Sequence, residues 1–265
     1  MKKVLTIAGS DCSGGAGIQA DLKTMLANGV YGMSVITALT AQNTMGVRAV
    51  EHVSSEFLKA QIDAVFEDIT PDAVKTGMIP SGELVRVIAE RMRFYGVKNL
   101  VVDPVMVATS GADLSNGESV KALMESLIPL SALVTPNVPE AEVLSGLKIK
   151  SEEDMKAAAE KISSGCGCSV LIKGGHSKGN ADDVLLYDGR FYIFGMQKID
   201  NQNTHGTGCT LSSAIACNLA KGLAVPDAVE KAKKYITGAI REGLDIGHGR
   251  GPLDHGWDIK TDYKN

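Results

Sequence analysis

The chain has 265 residues, and its 27 lysines and arginines against 31 aspartates and glutamates give a formal charge of −4. This length is sufficient for a sizeable core, and we predict one domain over residues 1–265. The slight acidity argues against nucleic-acid binding, which needs a basic surface, and the apolar runs are too short to cross a membrane. Glycine is abundant, with 29 residues against 8 prolines, which indicates close approach of the backbone to a ligand.

The cysteines and the first residues bear on where the protein works. Five cysteines are an odd number, and they contain no C-x-x-C pair, which argues against a disulfide framework and a zinc ribbon. Residues 1–8 resemble the start of a secretory leader, but Gly9, Ser10 and Asp11 end the apolar run too soon. We therefore expect a cytoplasmic protein.

Short apolar strands alternate with amphipathic helices along the chain. In chain order, the predicted strands are residues 4–8, 33–39, 73–75, 100–103, 132–135 and 169–173. Helices are predicted near residues 18–26, 57–69, 82–95, 118–127, 152–163, 208–221 and 226–242, with another beginning around Pro139. Strands 184–187 and 191–194 flank Asp188 and Gly189, a hairpin dipeptide. The pattern predicts an α/β fold with a mostly parallel central sheet, helices on both faces and an antiparallel hairpin at one edge.

Polar and glycine-rich segments follow the predicted parallel strands. Ligands of such sheets bind at the carboxyl ends of strands, so we expect these segments to meet at one edge. The segments are residues 9–11, 42–44, 75–78, 103–106, 135–140 and 173–176.

A glycine-rich turn, residues 203–210, leads directly into a predicted helix. Glycines there let backbone N–H groups converge, and the helix dipole adds positive potential, so the turn is a candidate anion site. A glycine-rich helix start without a ligand is the alternative. Cys209 lies in the first helical turn, where the dipole is expected to favour its thiolate as a base or nucleophile, whereas Cys217 is expected in the core. His205 lies within this segment, just before Gly206, and is a candidate nucleotide contact.

The first loop, residues 9–21, is also glycine-rich. It contains a G-x-G-x-x-A match, but the loop ahead of the match is too long and no acidic residue ends the next strand, which argues against a dinucleotide-binding fingerprint. It contains no G-K-[ST], which excludes a P-loop. Asp21 is a candidate to accept hydrogen bonds from a small polar substrate, or alternatively a first-turn charge favoured by the dipole.

Three further residues are candidates for phosphate and metal binding. Asn137 and Glu140 are three residues apart at a helix start, which suits a hydrated Mg²⁺ beside phosphates, although N-x-x-E is also a plain capping pattern. Lys173, before two glycines, is a candidate phosphate clamp or an ordinary solvated lysine. The histidines at positions 52, 176, 248 and 255 show no metal-site spacing.

The ordered set of segments, together with residues 206–209, closely resembles the ribokinase-like superfamily. Within it, the chain resembles the hydroxymethylpyrimidine/phosphomethylpyrimidine kinases of thiamine biosynthesis, from about residue 4 to residue 255. The resemblance implies an ATP- and Mg²⁺-dependent kinase that phosphorylates 4-amino-5-hydroxymethyl-2-methylpyrimidine and then its monophosphate, and it suggests a homodimer. Most sugar kinases of the superfamily carry an aspartate at the position of Cys209. The pyrimidine kinases share the cysteine with this chain.

The same resemblance implies roles for individual residues. The pyrimidine site would be lined by Gly9, Asp21, Gln42, Met78 and Val105. ATP and Mg²⁺ would be bound by Asn137, Glu140, Lys173, Thr204, His205 and Thr207. Phosphoryl transfer would involve Gly206, Gly208 and Cys209. We expect Cys209 to accept the hydroxymethyl proton in the first transfer and to matter less in the second, because a phosphate monoester is already an anion at neutral pH.

Two alternatives stay open. Pyridoxal kinases of a related branch share the cysteine, but they usually carry a methionine after the second strand and lack the Ala-Gln-Asn-Thr pattern found here at residues 41–44. The Gln42 amide can both donate and accept, which matches an aminopyrimidine edge, so we favour the pyrimidine with pyridoxal or pyridoxine as a side substrate. A non-catalytic protein that senses a pyrimidine or nucleotide is the second alternative.

Overall fold

The computed structural model describes residues 1–106, 117–174, 182–195, 199, 201, 203–242 and 244–259. Gly175 and His176, which belong to one predicted site segment, lie outside these residues. The strands are β1 (Lys3–Asp11), β2 (Tyr31–Asn43), β3 (Gly46–His52), β4 (Ala73–Thr76), β5 (Leu100–Val102), β6 (Leu133–Val134), β7 (Ser169–Ile172), β8 (Asp183–Tyr187) and β9 (Arg190–Phe194). The α-helices are α1 (Gly17–Ala27), α2 (Ser55–Asp68), α3 (Gly82–Phe94), α4 (Gly117–Ala122), α5 (Val138–Ser145), α6 (Glu152–Cys166), α7 (Thr207–Ala220) and α8 (Val225–Glu242).

The strands form one sheet in the order β3-β2-β1-β4-β5-β6-β7-β8-β9. The six strands from β2 to β7 in this order are parallel, and β8 and β9 are antiparallel to their neighbours. Asp188 and Gly189 both have positive φ, as a two-residue hairpin turn requires. The predicted fold class and the predicted hairpin are confirmed.

The opposite edge of the sheet differs from the prediction. β2 continues to Asn43, and after Thr44 and Met45 the chain returns as β3, antiparallel to β2. The sequence does not reveal β3, because most of its residues are exposed and it lacks the alternation of apolar and polar residues that marks a half-buried strand. Gln42 therefore lies within a paired strand and not in the loop that was predicted to follow it.

The helix predicted near residues 118–127 is also different. Only α4 is α-helical, and a π-helical turn (Leu123–Leu127) and a 3₁₀ turn (Ile128–Leu130) follow it. Pro129, which has no backbone N–H, lies in the second of these turns. Among the described residues, no helix combines the length and the apolar character that a membrane crossing requires.

The core consists of two apolar layers, one on each side of the sheet. Successive strand residues point to opposite faces, so Leu5, Val74 and Val102 pack against α2, α3, α5 and α6, whereas Val4 and Val101 pack against α1, α7 and α8. All five side chains are fully buried. This double covering explains why apolar residues in the parallel strands occupy both faces of the sheet.

The topology determines where a ligand site can form. From β1 the chain moves to β2 on one side and later to β4 on the other, so the strand order switches between β1 and β4. A crevice opens at the carboxyl ends of strands at such a switch point. The first loop follows β1 there, and α7 packs against β1, β4 and β5.

Candidate active site

The glycine-rich turn before α7 adopts a backbone that only glycine accepts readily. Gly206 caps the helix with φ 83°, and a Cβ on it would lie 2.0 Å from the carbonyl oxygen of Gly15. The hydroxyl of Thr207 donates to the carbonyl of Thr204 at 2.7 Å, which closes the turn. The N–H groups of Gly208 and Cys209 belong to the first helical turn, where they have no partner within the helix. The turn is therefore shaped to bind an anion, and it lies directly against the first loop.

Lys173 supplies positive charge next to this turn. Its Nζ lies 2.8 Å from Oδ1 of Asp103, and a Cβ added to Gly208 would lie 3.5 Å from both side chains. Burial alone would lower the pKa of Lys173, but the charges of Asp103 and Glu140 and the hydrogen bond to Asp103 together outweigh burial, and the pKa is raised. The ammonium thus stays protonated at neutral pH beside the N-terminus of α7, in agreement with the predicted phosphate clamp, whose binding role stays a prediction.

Asn137 and Glu140 form a reciprocal capping box at the start of α5. The Asn137 side chain accepts from the Glu140 N–H at 2.9 Å, and Oε2 of Glu140 accepts from the Asn137 N–H at 2.8 Å. Burial raises the pKa of Glu140 to about 7, although the ammonium of Lys173 acts in the opposite direction. The capping pattern is thus the one observed, and it leaves the metal role as a prediction.

The same residues are chemically compatible with Mg²⁺. Their oxygens are hard ligands, and Glu140 lies close enough to Lys173 and Asp103 to interact with their charges. No group of three or more His, Cys, Asp or Glu side chains in the described parts of the chain forms a metal cage. Mg²⁺ in kinases needs no such cage, because one or two protein oxygens, substrate phosphates and waters complete its shell. Since the capping box already uses these oxygens as hydrogen-bond acceptors, contact between them and Mg²⁺ through a bridging water fits best.

Asp21 is buried within a charged cluster under α7. Its carboxylate accepts from Lys75 Nζ at 3.0 and 2.9 Å, from the Thr6 hydroxyl at 2.6 Å and from the Ser213 hydroxyl at 2.7 Å. Both Asp21 and Lys75 are fully buried. Asp21 does not lie in the first turn of α1, so the alternative of a dipole-stabilised charge is wrong. Its predicted contact with substrate stays a prediction, and the four hydrogen bonds leave no exposed oxygen for it.

The first loop is tied to the anion turn by Asp11 and His205. Oδ2 of Asp11 lies 2.9 Å from Nε2 of His205 and accepts from the backbone of Gly15 and Ala16, and Oδ1 accepts from Ser13. Burial alone would raise the pKa of Asp11, but hydrogen bonds from His205 and Ser13 lower it to about 2. His205 is thus buried against the loop, and its predicted nucleotide contact remains a prediction.

Gln42 faces the same histidine from β2. Its Nε2 lies 3.3 Å from Nε2 of His205, and its Oε1 lies 3.2 Å from the hydroxyl of Thr40. On the neighbouring strand, a Cβ on Gly9 would lie 2.7 Å from the terminal methyl group of Met78, so the two are in close contact. The structure therefore brings Gln42, His205 and the first loop together, and Gly9 and Met78 together, at the carboxyl ends of β1 and β4. The half-buried Val105 follows Asp103 on the loop after β5.

Cys209 is the third residue of α7, and its side chain is half-buried. Removal from water raises the pKa of the thiol to about 11, and the nearby charge of Lys75 lowers it by less. Burial therefore opposes the thiolate that the helix start was expected to favour, and the role of Cys209 as a base or nucleophile stays a prediction. Cys217 is fully buried in the core as predicted, and all five cysteines are free thiols.

Sequence reasoning gave no individual role to Lys75, Asp103 and Asp11, although all three lie in the segments that it singled out. Each is at most 3% exposed. The available signal was a charged residue at the end of a predicted buried strand, since unpaired charges are rarely buried. The sequence does not show their partners, which are 54 residues away for Lys75, 70 for Asp103 and 194 for Asp11.

The fold is similar to that of solved kinases. The crystal structure of phosphomethylpyrimidine kinase from Clostridium difficile 630 has a TM-score of 0.82 and 50% identity, over 91% of this chain and all of that one. The pyridoxal kinase of Staphylococcus aureus, solved with AMP-PCP and pyridoxal, has a TM-score of 0.89 and 37% identity, over 98% and 96% of the two chains. Fold and site together define a small-molecule kinase of the ribokinase-like class.

Sequence comparison narrows the class. The model of the phosphomethylpyrimidine kinase family matches residues 11–254. Hydroxymethylpyrimidine/phosphomethylpyrimidine kinase of Rhizobium meliloti (strain 1021) is 52% identical over 95% of this chain and 96% of its own length. The thiamine biosynthesis bifunctional protein ThiED of Geobacter sulfurreducens is 51% identical over 95% of this chain, which spans only 52% of that relative. The chain belongs to the phosphomethylpyrimidine kinase family.

Proposed function

We propose that this chain transfers the γ-phosphoryl group of ATP to 4-amino-5-hydroxymethyl-2-methylpyrimidine and then to the resulting monophosphate. The observation that carries the proposal is the junction of the first loop with the anion turn at Gly206 and Gly15. This contact supports the proposal, because it joins the loop after β1, where we propose that substrate binds, to the start of α7, where we propose that the phosphates bind. Phosphoryl transfer depends mainly on such positioning and on neutralisation of charge.

Residues around α7 bind and orient the phosphates in this proposal. The N–H groups of Gly208 and Cys209 donate to the transferring phosphoryl group, and the Lys173 ammonium offsets its negative charge. Thr204, Thr207 and His205 complete the nucleotide side of the turn. Asn137 and Glu140 would hold Mg²⁺ through water, and the ion would supply further neutralisation of phosphate charge.

The pyrimidine lies in the crevice between β1 and β4 in this proposal. Gln42 recognises its aminopyrimidine edge, and Gly9, Met78 and Val105 line the ring. Asp21 lies buried beneath this site, where it is paired with Lys75. Gly9 leaves the space that the Met78 side chain fills. This arrangement keeps the ring against apolar atoms and presents its hydroxymethyl group to Cys209.

Cys209 acts as the base of the first transfer. The hydroxyl proton moves to its sulfur, the oxygen bonds to the γ-phosphorus, and the bond from that phosphorus to the β,γ-bridging oxygen breaks to release ADP. Because the pKa of the thiol is about 11, only a minor thiolate population accepts the proton at neutral pH. The first transfer should therefore accelerate between pH 7 and pH 9, whereas the second, with its anionic acceptor, should not.

Replacement of Cys209 by alanine tests this assignment. We expect a loss of on the order of 10²-fold in kcat with the alcohol and a clearly smaller loss with the monophosphate. Cys217→Ala, on the same helix but in the core, serves as the control for loss of a thiol. Equal losses with the two substrates would contradict the role of Cys209 as a base.

Pyridoxal is the second candidate substrate, favoured by the similarity to the S. aureus pyridoxal kinase. Turnover of pyrimidine and pyridoxal in one competitive reaction distinguishes the two. We expect the pyrimidine to be consumed first, and preferential consumption of pyridoxal would reverse the assignment. Since the reaction uses ATP and the cysteines are free, we place it in the cytoplasm. The resemblance to the family suggests that the protein is a homodimer.

A further inference from the structure

A buried ion pair lies beneath the candidate base. Lys75 and Asp21 are both fully buried, and Lys75 Nζ contacts both carboxylate oxygens at 3.0 and 2.9 Å. Ser213 donates to Asp21 and lies four residues after Cys209, so both residues are on one face of α7. The pair is therefore directed at the same side of the helix as the thiol.

The pair is fixed from several elements. Thr6 on β1 donates to Asp21 from below, and a Cβ on Gly77 would lie 2.8 Å from Lys75 Nζ, so the loop after β4 closes over the ammonium. Burial of two charges costs several kcal/mol each, and a buried pair is weak support for stability by itself. The presence of this buried pair is better explained if its electric field acts on a neighbouring group.

Four charged side chains act on Cys209. Lys75 on β4 lowers the pKa of the thiol, while Asp21 on α1 and Asp103 after β5 raise it. The Lys173 ammonium, after β7, also interacts with Cys209. Lys75 makes the largest of the contributions that favour a thiolate. The pKa of Lys75 lies well above its usual value, because the nearby negative charges, that of Asp21 first, together outweigh burial. Lys75 therefore carries its charge throughout the working pH range.

We propose that Lys75, oriented by Asp21, is a positioning residue for the first phosphoryl transfer, and that its ammonium stabilises the negative charge on the thiolate of Cys209, the form that accepts the hydroxymethyl proton. Asp21 holds the ammonium in place, and its own negative charge limits how far Lys75 lowers the pKa of Cys209. The inference rests on the proposed function, in which Cys209 is the base. It gives Asp21 a role in the site without any contact to substrate.

The test is the rate at which iodoacetamide alkylates Cys209 at pH 9, resolved from the exposed Cys12 by peptide mass spectrometry. Asp21→Asn combined with Lys75→Met removes both charges while keeping side chains of similar size. In this double variant we expect Cys209 to react at least tenfold more slowly than in the wild type. Asp21→Asn alone leaves the ammonium without its counter-charge, and we expect Cys209 to react several-fold faster.

A matched control removes another buried pair. Lys233 and Asp183 are less than 10% exposed and form an ion pair between α8 and β8. Asp183→Asn combined with Lys233→Met should leave the alkylation rate of Cys209 within twofold of wild type. Alkylation rates are compared only among variants that unfold cooperatively. If the Asp21/Lys75 double variant does not fold, the single Asp21→Asn variant decides by whether its Cys209 is alkylated faster or more slowly than in the wild type.

Kinetics give a second readout. In the double variant kcat with the alcohol should fall at least tenfold, and kcat with the monophosphate less than threefold. The proposal is overturned if Cys209 reacts at the wild-type rate in the double variant, or if Asp21→Asn slows alkylation. Failure of the wild-type chain to phosphorylate the pyrimidine would instead overturn the proposed function, and the alkylation rates would still report on the charge beneath the thiol.

Discussion

Adding a single Cβ atom at Gly206 would perturb the contact between the first loop and the glycine-rich turn before α7. A Cβ at this position would lie 2.0 Å from the Gly15 carbonyl oxygen, about 1.4 Å short of the 3.4 Å at which ordinary contact begins. The opposing atoms are backbone, so Gly206→Ala must displace either the first loop or the start of α7. A displacement of about 1 Å costs on the order of 10²-fold in rate when it misaligns reacting groups.

The substitution also strains the backbone, and Gly222 provides a control for that strain. Gly206 and Gly222 have φ of 83° and 88°, and both flank α7, but no atom lies within 4 Å of a Cβ on Gly222. The left-handed conformation costs a residue with a Cβ about 1–2 kcal/mol, so both alanine variants should lose about that much unfolding free energy. Only Gly206→Ala should also lose activity.

The assay is kcat/KM for ATP alongside urea unfolding of both variants. We expect Gly206→Ala to lose on the order of 10²-fold in kcat/KM and Gly222→Ala to remain within twofold of wild type. A folded Gly206→Ala protein within threefold of wild type would refute the reasoning. Equal losses in the two variants would also refute it, because backbone strain would then explain the whole effect.

Further predictions concern charge, pH and packing. Lys173→Met should lower kcat/KM for ATP by at least tenfold, because it removes the ammonium beside the start of α7; an unchanged value would contradict the phosphate clamp. The pKa of Asp11 is lowered from 3.8 to about 2, so its contribution of on the order of 2 kcal/mol is present above pH 4 and lost as the pH falls through 2. Urea unfolding should show this loss in the wild type and not in Asp11→Asn, and identical pH profiles would contradict it. Leu5→Ala, in the core, should cost about 2–5 kcal/mol of unfolding free energy, and Leu26→Ala, 73% exposed, less than about 1 kcal/mol; similar losses would contradict the assignment of the core.

The sequence predicted the parts of the fold that depend on local pattern. Buried strands such as β1 and β5 are rich in apolar residues because helices cover both faces of the sheet. Asp188 and Gly189 specify the hairpin turn because both adopt positive φ. β3 was missed because exposure removes the pattern that reveals a strand. Its pairing is determined by the edge of β2, which is a tertiary feature.

The sequence predicted which segments form the candidate site, but only some of the contacts between their side chains. Strand order brings the segments together, and the rule that ligands bind at carboxyl ends needs no distances. By contrast, the pairing of Lys75 with Asp21 joins residues 54 positions apart, and no local pattern indicates it. The position of Cys209 in the first turn of a helix is likewise visible in sequence, whereas the burial that raises the pKa of its thiol is a tertiary feature.

The most direct test of the proposed activity is a time course with purified protein, ATP, Mg²⁺ and 4-amino-5-hydroxymethyl-2-methylpyrimidine, with the products followed by mass. We predict that a species heavier by one phosphate appears first and is converted to one heavier by two, with one ADP formed at each step. The Gly206→Ala variant should slow both steps. Formation of neither product, or phosphorylation of pyridoxal alone, would contradict the assignment of this site.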